Sequence, residues 1–309
     1  MDRKKIFLAR IQGFCSGVAT AIEIVERAIQ KYGTPLYVYH EIVHNTFVVE
    51  RFRQAGVIFI EDLERAPVGS RVIFSAHGVS PAIMDVARRR GLKYIDATCP
   101  LVKKVHSEAV RFAQEGRHVI LIGHKGHQEI VGTSGYVDET LLHIVQNAKD
   151  IALLHLPSST PVAYVTQTTL SVDEAVECIA HLRQRFIDIK GPAKDDICYA
   201  TQNRQDAVKE LAQFCDVILI CGSPTSSNSN RLCETGKRAG VDSYIIDCAD
   251  ELDPAWLNGK GHIGISSGAS VPEYVVKDLV KRIQTLFPGS TVERVGESKE
   301  PRIFPLPEI

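Results

Sequence analysis

The chain has 309 residues, is 44% hydrophobic and carries a formal charge of −1, enough apolar content to build two or three compact units. So small a charge excludes an electrostatic footprint for nucleic acid or an anionic membrane, and any anion must be held by local groups. No apolar stretch approaches the roughly 18 residues of a membrane span. The opening MDRKKIFLARIQGF has too short an apolar run for a secretory signal, so the eight cysteines are expected to stay reduced in the cytoplasm.

In chain order, after an N-terminal strand, short runs rich in β-branched and aromatic residues fall at 36–39, 57–60, 72–75, 94–95, 119–122, 162–165, 217–220, 244–246 and 263–265. They have the composition of buried parallel strands. Helical faces alternate with them: Val18, Ile22, Val25 and Ile29; then Val102, Val105, Ala109 and Phe112; then Val208, Leu211 and Cys215. The fold class is α/β. A weak period of about a third of the chain suggests three similar α/β units, at 1–98, 99–197 and 198–287, followed by an irregular C-terminal arm at 288–309.

Each unit carries a cysteine where a strand-like run gives way to a helix: Cys15 in QGFCSGVATAI, Cys99 in DATCPLVKKV and Cys198 in DICYATQNRQ. This spacing is not that of a zinc finger, a ribbon or a disulfide scaffold. Helix N-termini favour thiolates and offer backbone N–H groups to cluster sulfurs. Three convergent thiols without an obvious fourth suggest an iron–sulfur cluster with one iron open to substrate; a histidine completing a zinc site is the alternative. Cys178, Cys215, Cys221, Cys233 and Cys248 read as small hydrophobes.

Polar loops follow the strands. His40, His44 and Asn45 lie in HEIVHN, His77 and Ser80 in SAHGVSP, and His124, His127 and Glu129 in IGHKGHQE. Thr168 and Thr169 lie in TQTTLS, Ser226, Ser227 and Asn228 in GSPTSSNSN, and Ser267 and Ser270 in SSGASVPE. Ligands of open α/β sheets bind beyond the carboxyl ends of strands, so these loops are where an anion would be held. His44, His77 and His127 can donate to phosphate with little permanent charge, and Ser226, Ser227, Asn228 and Ser270 complete a cradle. Ser270 to Glu273 and Ser171 to Glu174 also read as capping boxes, and Ser80 before Pro81 as an N-cap. Neither a GxxxxGK[ST] loop nor a GxGxxG fingerprint occurs.

Taken in order, GFCSGV, EIVHN, FSAHGVS, DATCPLV, GHKGHQE, TQTTLS, DDICYAT, SSNSNRL and the GAS of SSGAS resemble the LytB family of 4-hydroxy-3-methylbut-2-enyl diphosphate reductases over nearly the whole chain. The resemblance implies a trefoil of three α/β units around a [4Fe-4S] cluster with three cysteine ligands and one open iron. It implies reductive dehydration of the allylic diphosphate to isopentenyl and dimethylallyl diphosphates, the last step of the methylerythritol phosphate pathway. Position by position, Cys15, Cys99 and Cys198 match the cluster ligands, and His44, His77, Ser226, Ser227, Asn228 and Ser270 match the diphosphate-binding residues. His127, Glu129 and Thr168 match the group near the substrate hydroxyl. Two departures are Ile11-Gln12 in place of Pro-Arg before Gly13, and Ser16 in place of a frequent alanine.

The implied chemistry assigns Glu129 as proton donor, its pKa raised by an enclosed and anionic setting. His127 and Thr168 relay or orient that proton, and the open iron acts as Lewis acid. Electrons must come from outside, and the resemblance implies a ferredoxin or flavodoxin. Two rival readings are a nonredox iron–sulfur hydro-lyase, which would need basic residues for carboxylates, and a cluster-based redox sensor, which would need an effector or nucleic-acid surface.

Overall fold

The computed structural model describes residues 3–297, 304–307 and 309. The chain begins β1 (Lys5–Ala9), α1 (Ser16–Tyr32), β2 (Leu36–Tyr39), α2 (Thr46–Gln54), β3 (Val57–Ile60), β4 (Arg71–Phe74), α3 (Pro81–Arg89) and β5 (Lys93–Asp96). It continues α4 (Pro100–Gln114), β6 (His118–Ile122), α5 (Gln128–Ser134), β7 (Leu142–Val145), α6 (Ala148–Ala152), β8 (Val162–Thr166), α7 (Val172–Arg185) and β9 (Ile189–Lys190). The last part is α8 (Tyr199–Leu211), β10 (Val217–Cys221), α9 (Ser227–Arg238), β11 (Asp242–Ile246), β12 (His262–Ser267), α10 (Glu273–Leu286) and β13 (Thr291–Val295).

These strands form three wholly parallel sheets, ordered β3-β2-β4-β5, β7-β6-β8-β9 and β11-β10-β12-β1-β13. The chain clusters into two compact units. One comprises Met1–Ser16, His44–Val48 and Tyr199–Ile303; the other comprises Gly17–Val43, Val49–Cys198 and Phe304–Ile309.

Parallel strands are buried on both faces, and the side-chain period of two divides their residues between separate cores. In the first unit Ile6, Leu8, Val217, Leu219, Ile263 and Ile265 pack beneath Val275, Val276, Leu279 and Ile283 of α10. Their neighbours Phe7, Ala9, Ile218 and Ile220 face Val208 and Leu211 of α8 and Leu232 of α9. In the second unit Val119, Leu121, Ala163 and Val165 meet Val105, Ala109 and Phe112 of α4, while Ile120, Ile122, Val162 and Tyr164 meet Cys178 and Leu182 of α7. Each such fully buried aliphatic side chain contributes about 1.5–3 kcal/mol.

Three expectations are corrected. The N-terminal strand does not serve the first third of the chain: β1 lies between β12 and β13. The arm from 288 is not wholly irregular, because Thr291–Val295 extends that sheet as an edge strand; residues 298–303 and 308 of the arm lie outside the described residues. Exposed Thr291, Val292, Glu293 and Arg294 give β13 no apolar period to read; backbone pairing and the Lys5–Glu293 ion pair at 2.9 Å hold it. Cys215 lies just beyond α8 rather than inside it.

The carboxyl ends of β4, β6, β8, β10 and β12 lead directly into the loops of His77, His127, Thr168, Ser226 and Ser270. Among the described residues no helix is long and apolar enough to cross a membrane.

Candidate active site

In the unit containing β6 and β8, Glu129 is only 2% exposed. Its Oε1 accepts the Thr168 backbone N–H at 2.6 Å and its Oε2 the Thr168 hydroxyl at 2.9 Å. Burial pushes this carboxyl up to about 7; the two Thr168 bonds oppose the shift, and the charge of Asp196 adds to it. The expected direction therefore holds, and enclosure by the protein itself is its main cause. Glu129 is the second residue of α5, whose N-cap is His127: the imidazole Nδ1 accepts the Glu129 N–H at 3.2 Å. Acceptance at Nδ1 leaves the neutral ring's proton on Nε2, a donor that faces away from the helix backbone.

The rings of His77 and His127 meet edge to face with centroids 5.9 Å apart. Ser75, at the end of β4, has its hydroxyl 3.3 Å from His77 Nδ1. Gly78 follows at φ +79°, and a Cβ there would lie 2.8 Å from Cε1 of buried His106. His106 stacks on Tyr136 with centroids 4.3 Å apart, and burial lowers its pKa to about 4. A neutral, stacked imidazole thus forms the floor under the His77 turn.

In the unit containing β10 and β12, the loop after β10 enters α9 with Ser226 as N-cap, its hydroxyl accepting from the Ser229 N–H at 3.3 Å. Ser226 and Asn228 are buried and Ser227 is half-buried. Both amide atoms of Asn228, and the hydroxyls of Ser229, Ser266 and Ser267, are buried without a protein partner. Leaving such a group unmatched costs about 1–3 kcal/mol, so the cluster has the character of a binding surface rather than of a packed core. Gly222 and Gly268 make room for it, since a Cβ on either would lie within 2.3 Å of Ser229 Oγ. Twelve-residue α9 also directs its N-terminal dipole at this loop.

Ser270 is not the expected capping-box residue. Pro272 is the N-cap of α10 without a side-chain cap, and the Ser270 hydroxyl donates to the His44 carbonyl at 2.9 Å. Ser171 does cap α7 through the Glu174 N–H, and Ser80 occupies the N-cap of α3 without a side-chain bond.

Cys15 and Cys198 immediately precede α1 and α8, and Cys99 is the N-cap of α4. Each is tied through its backbone N–H to one of the polar loops: Cys15 to Ala269 O at 2.9 Å, Cys99 to Ala76 O at 3.0 Å and Cys198 to Thr168 O at 3.0 Å. All three are partly exposed, as is Cys248, whereas Cys178, Cys215, Cys221 and Cys233 are buried. Burial raises the thiol pKa of all four, to about 11 for Cys178 and about 12 for Cys215 and Cys221; such thiols are poor metal ligands. Among the described residues no three His, Cys, Asp or Glu side chains are gathered to hold a metal ion. The donor chemistry of Cys15, Cys99 and Cys198 suits an iron–sulfur cluster, which takes thiolates. A Cβ on Gly17 would lie 2.7 Å from Cys99 Sγ, so the Cys99 sulfur lies close against the start of α1.

Several residues in the site were not singled out from sequence. Fully buried Gln167 accepts the His124 N–H at 3.0 Å and donates to Thr169 at 2.8 Å, joining the loops after β6 and β8. Asp196, with a fully buried side chain, accepts from the Thr166 N–H at 3.0 Å and from Lys104 at 2.8 Å; burial holds its carboxyl above the usual range. The only signal for either was proximity to TQTTLS and Cys198. Ser16 accepts from the Tyr199 hydroxyl at 3.0 Å, a bond that an alanine would lack.

The LytB protein family profile matches residues 6–284. The 4-hydroxy-3-methylbut-2-enyl diphosphate reductase of Azoarcus sp. (strain BH72) is 51% identical over 308 residues, 100% of this chain and 98% of its own length. The protein of the same name from Xylella fastidiosa (strain M12) is 53% identical, covering 98% of this chain and 97% of its own. The solved E-1-hydroxy-2-methyl-but-2-enyl-4-diphosphate reductase from Plasmodium falciparum superimposes with a TM-score of 0.95 at 37% identity, over 99% of this chain and 96% of its own.

Proposed function

This chain belongs to the LytB family, and from that membership we infer that it reduces (E)-4-hydroxy-3-methylbut-2-enyl diphosphate to isopentenyl and dimethylallyl diphosphates, the terminal step of the non-mevalonate pathway. The reaction takes up two electrons and two protons, breaks the allylic C–O bond and releases water. The observation that carries the reading is the buried Glu129 carboxyl, held on both oxygens by Thr168 with a pKa near neutrality. Such a group is protonated in a substantial fraction of molecules near neutral pH and can give that proton to a leaving hydroxyl.

An iron–sulfur cluster belongs to the family, and its finer description is our proposal: a [4Fe-4S] cluster held by Cys15, Cys99 and Cys198 with one iron open. When bound, it supplies the electrons and a Lewis-acidic iron. The chain's own residues do the rest. His44, His77, Ser226, Ser227, Asn228 and Ser270 are the proposed diphosphate ligands. The unmatched Asn228 amide and the α9 N-terminus support an anion at this loop. Ser270 already gives its proton to His44 O, so its part is to fix the His44 turn or to exchange that bond for a phosphate oxygen. Binding the remote diphosphate fixes the reacting hydroxyl and lowers the entropic part of the barrier.

His127, with its proton on Nε2, is the proposed donor that orients the hydroxyl beside Glu129, and Thr168 keeps the carboxyl in place. No nicotinamide or flavin fingerprint occurs, and a ferredoxin or flavodoxin in the cytoplasm is the proposed electron source. The cradle of His, Ser and Asn, poor in fixed cations, favours a diphosphate held by hydrogen bonds over the carboxylates of a hydro-lyase.

Anaerobic turnover by the cluster-reconstituted protein, with a reduced viologen dye as donor, tests the reading. Two dye equivalents oxidised per substrate, with both isomeric diphosphates formed, is the expected result. Dye that stays reduced in a protein shown to contain iron and sulfide would reject it.

A further inference from the structure

Gly17, in the first turn of α1, has no part in the proton-donating pair or the phosphate cradle. It is buried, and a Cβ there would meet the Cys99 side chain alone, 2.7 Å from Sγ and 3.4 Å from its Cβ. Its backbone gives no reason for glycine, because it is not among the residues with positive φ. Alanine is the better helix former at such a position. The missing side chain therefore serves the sulfur.

Cys99 has little freedom to retreat. Its N–H is bonded to Ala76 O, it is the N-cap of α4, and Pro100 follows it, so its backbone is fixed from both sides. Rotation about its own Cα–Cβ bond is the movement left.

We propose that Gly17 is a positioning residue for Cys99: the space left by its absent side chain is where the Cys99 sulfur lies, and a methyl group there turns the thiol out of the orientation from which it would bind a cluster. The inference rests on the reading of Cys99 as a ligand. In the cluster-free protein one bond rotation relieves the clash, so Gly17→Ala should fold. In the loaded protein the sulfur is committed, and the same methyl acts against the cluster.

The test compares full-length wild type, Gly17→Ala, Cys99→Ala and the double variant. It measures iron and sulfide per chain after anaerobic reconstitution, the rate of iron loss to a ferrous chelator, and the apparent Tm without the cluster. Gly17→Ala should lose iron about 10-fold faster or more, the range expected for residues that orient a metal ligand. In the Cys99→Ala background, where the sulfur no longer opposes the methyl, Gly17→Ala should raise the cluster-free Tm by about 1–2 °C more than in wild type. Wild-type cluster retention with the same Tm change in both backgrounds would overturn the proposal.

Should Gly17→Ala fail to fold, recovery in the Cys99→Ala background supports the proposal and equal failure in both sinks it. Full cluster loading by Cys99→Ala alone would remove the ligand reading itself. Loss of loading in Cys99→Ala with full retention in Gly17→Ala would remove only the role of Gly17.

Discussion

Glu129 with Thr168 and the Ser226–Asn228 turn occupy comparable places, each beyond the carboxyl end of a parallel strand, yet their polar groups are satisfied in opposite ways. Glu129 has both oxygens matched inside the protein; Asn228 has neither amide atom matched. The first arrangement fixes the carboxyl group in position before any substrate arrives, which suits a group that must act in the transition state. The second holds donors and acceptors out of water without partners, which suits a group whose partner is a ligand. Preorganised chemistry and prepaid desolvation thus lie in different loops.

The largest effect should come from breaking the matched side. Glu129→Gln keeps the shape and the Thr168 N–H contact, and its NH2 can donate to the Thr168 hydroxyl once that hydroxyl reverses, but it cannot pass on an acidic proton; turnover should fall about 10²–10⁴-fold with iron and sulfide unchanged. Near-normal turnover would remove Glu129 from the mechanism. Next comes the unmatched side. Asn228→Ala should raise KM about 10–100-fold, the value of one or two hydrogen bonds to a charged group, without loss of thermal stability, since the deleted atoms have no protein partner. A drop in Tm together with unchanged KM would make Asn228 a structural residue.

A smaller effect sharpens the comparison. Thr168→Val removes a hydroxyl bond that stabilises the Glu129 carboxylate, so the pKa should rise and the basic limb of the kcat–pH profile should move up by about 0.5–1 unit. A downward shift would contradict the assignment of Glu129 as the acid.

Stability gives a reading of the same carboxyl that needs no cluster. The native pKa, about 7, lies above the ordinary 4.5. Between those values the native state therefore binds more protons than the unfolded state, and this group's contribution falls as pH rises. Glu129→Gln should gain stability relative to wild type from pH 4.5 to 7 and hold that gain above it. Denaturant midpoints of the cluster-free proteins across this window check the sign.

The sequence marked, through apolar runs, every strand among the described residues except β7, β9 and β13, because burial on both faces leaves such runs with no polar interruption. It also placed the cysteines at helix starts and the polar loops at strand ends, since both depend on local chain order. It could not determine which sheet β1 joins, because Lys5–Ala9 is as apolar as any other strand and its partners lie more than 250 residues away. It missed β7, which is only partly buried and interrupted by His143, the two-residue β9, and β13, whose hold is backbone pairing at an exposed edge.

Within the site, the residue types at His127, Glu129, Thr168 and Asn228 were legible, and their states were not. The proton on His127 Nε2, the near-neutral pKa of Glu129 and the unmatched amide of Asn228 each depend on which atoms from distant segments surround them. Ser270 illustrates the limit: its spacing to Glu273 satisfies a capping box, but its hydroxyl goes to a carbonyl 226 residues away. Gly17 illustrates it again, since only the folded chain places a sulfur where a side chain would have been. Local pattern fixes which chemistry is on offer. Proton positions, burial and steric room are properties of contacts between residues far apart in sequence, and tertiary structure alone decides them.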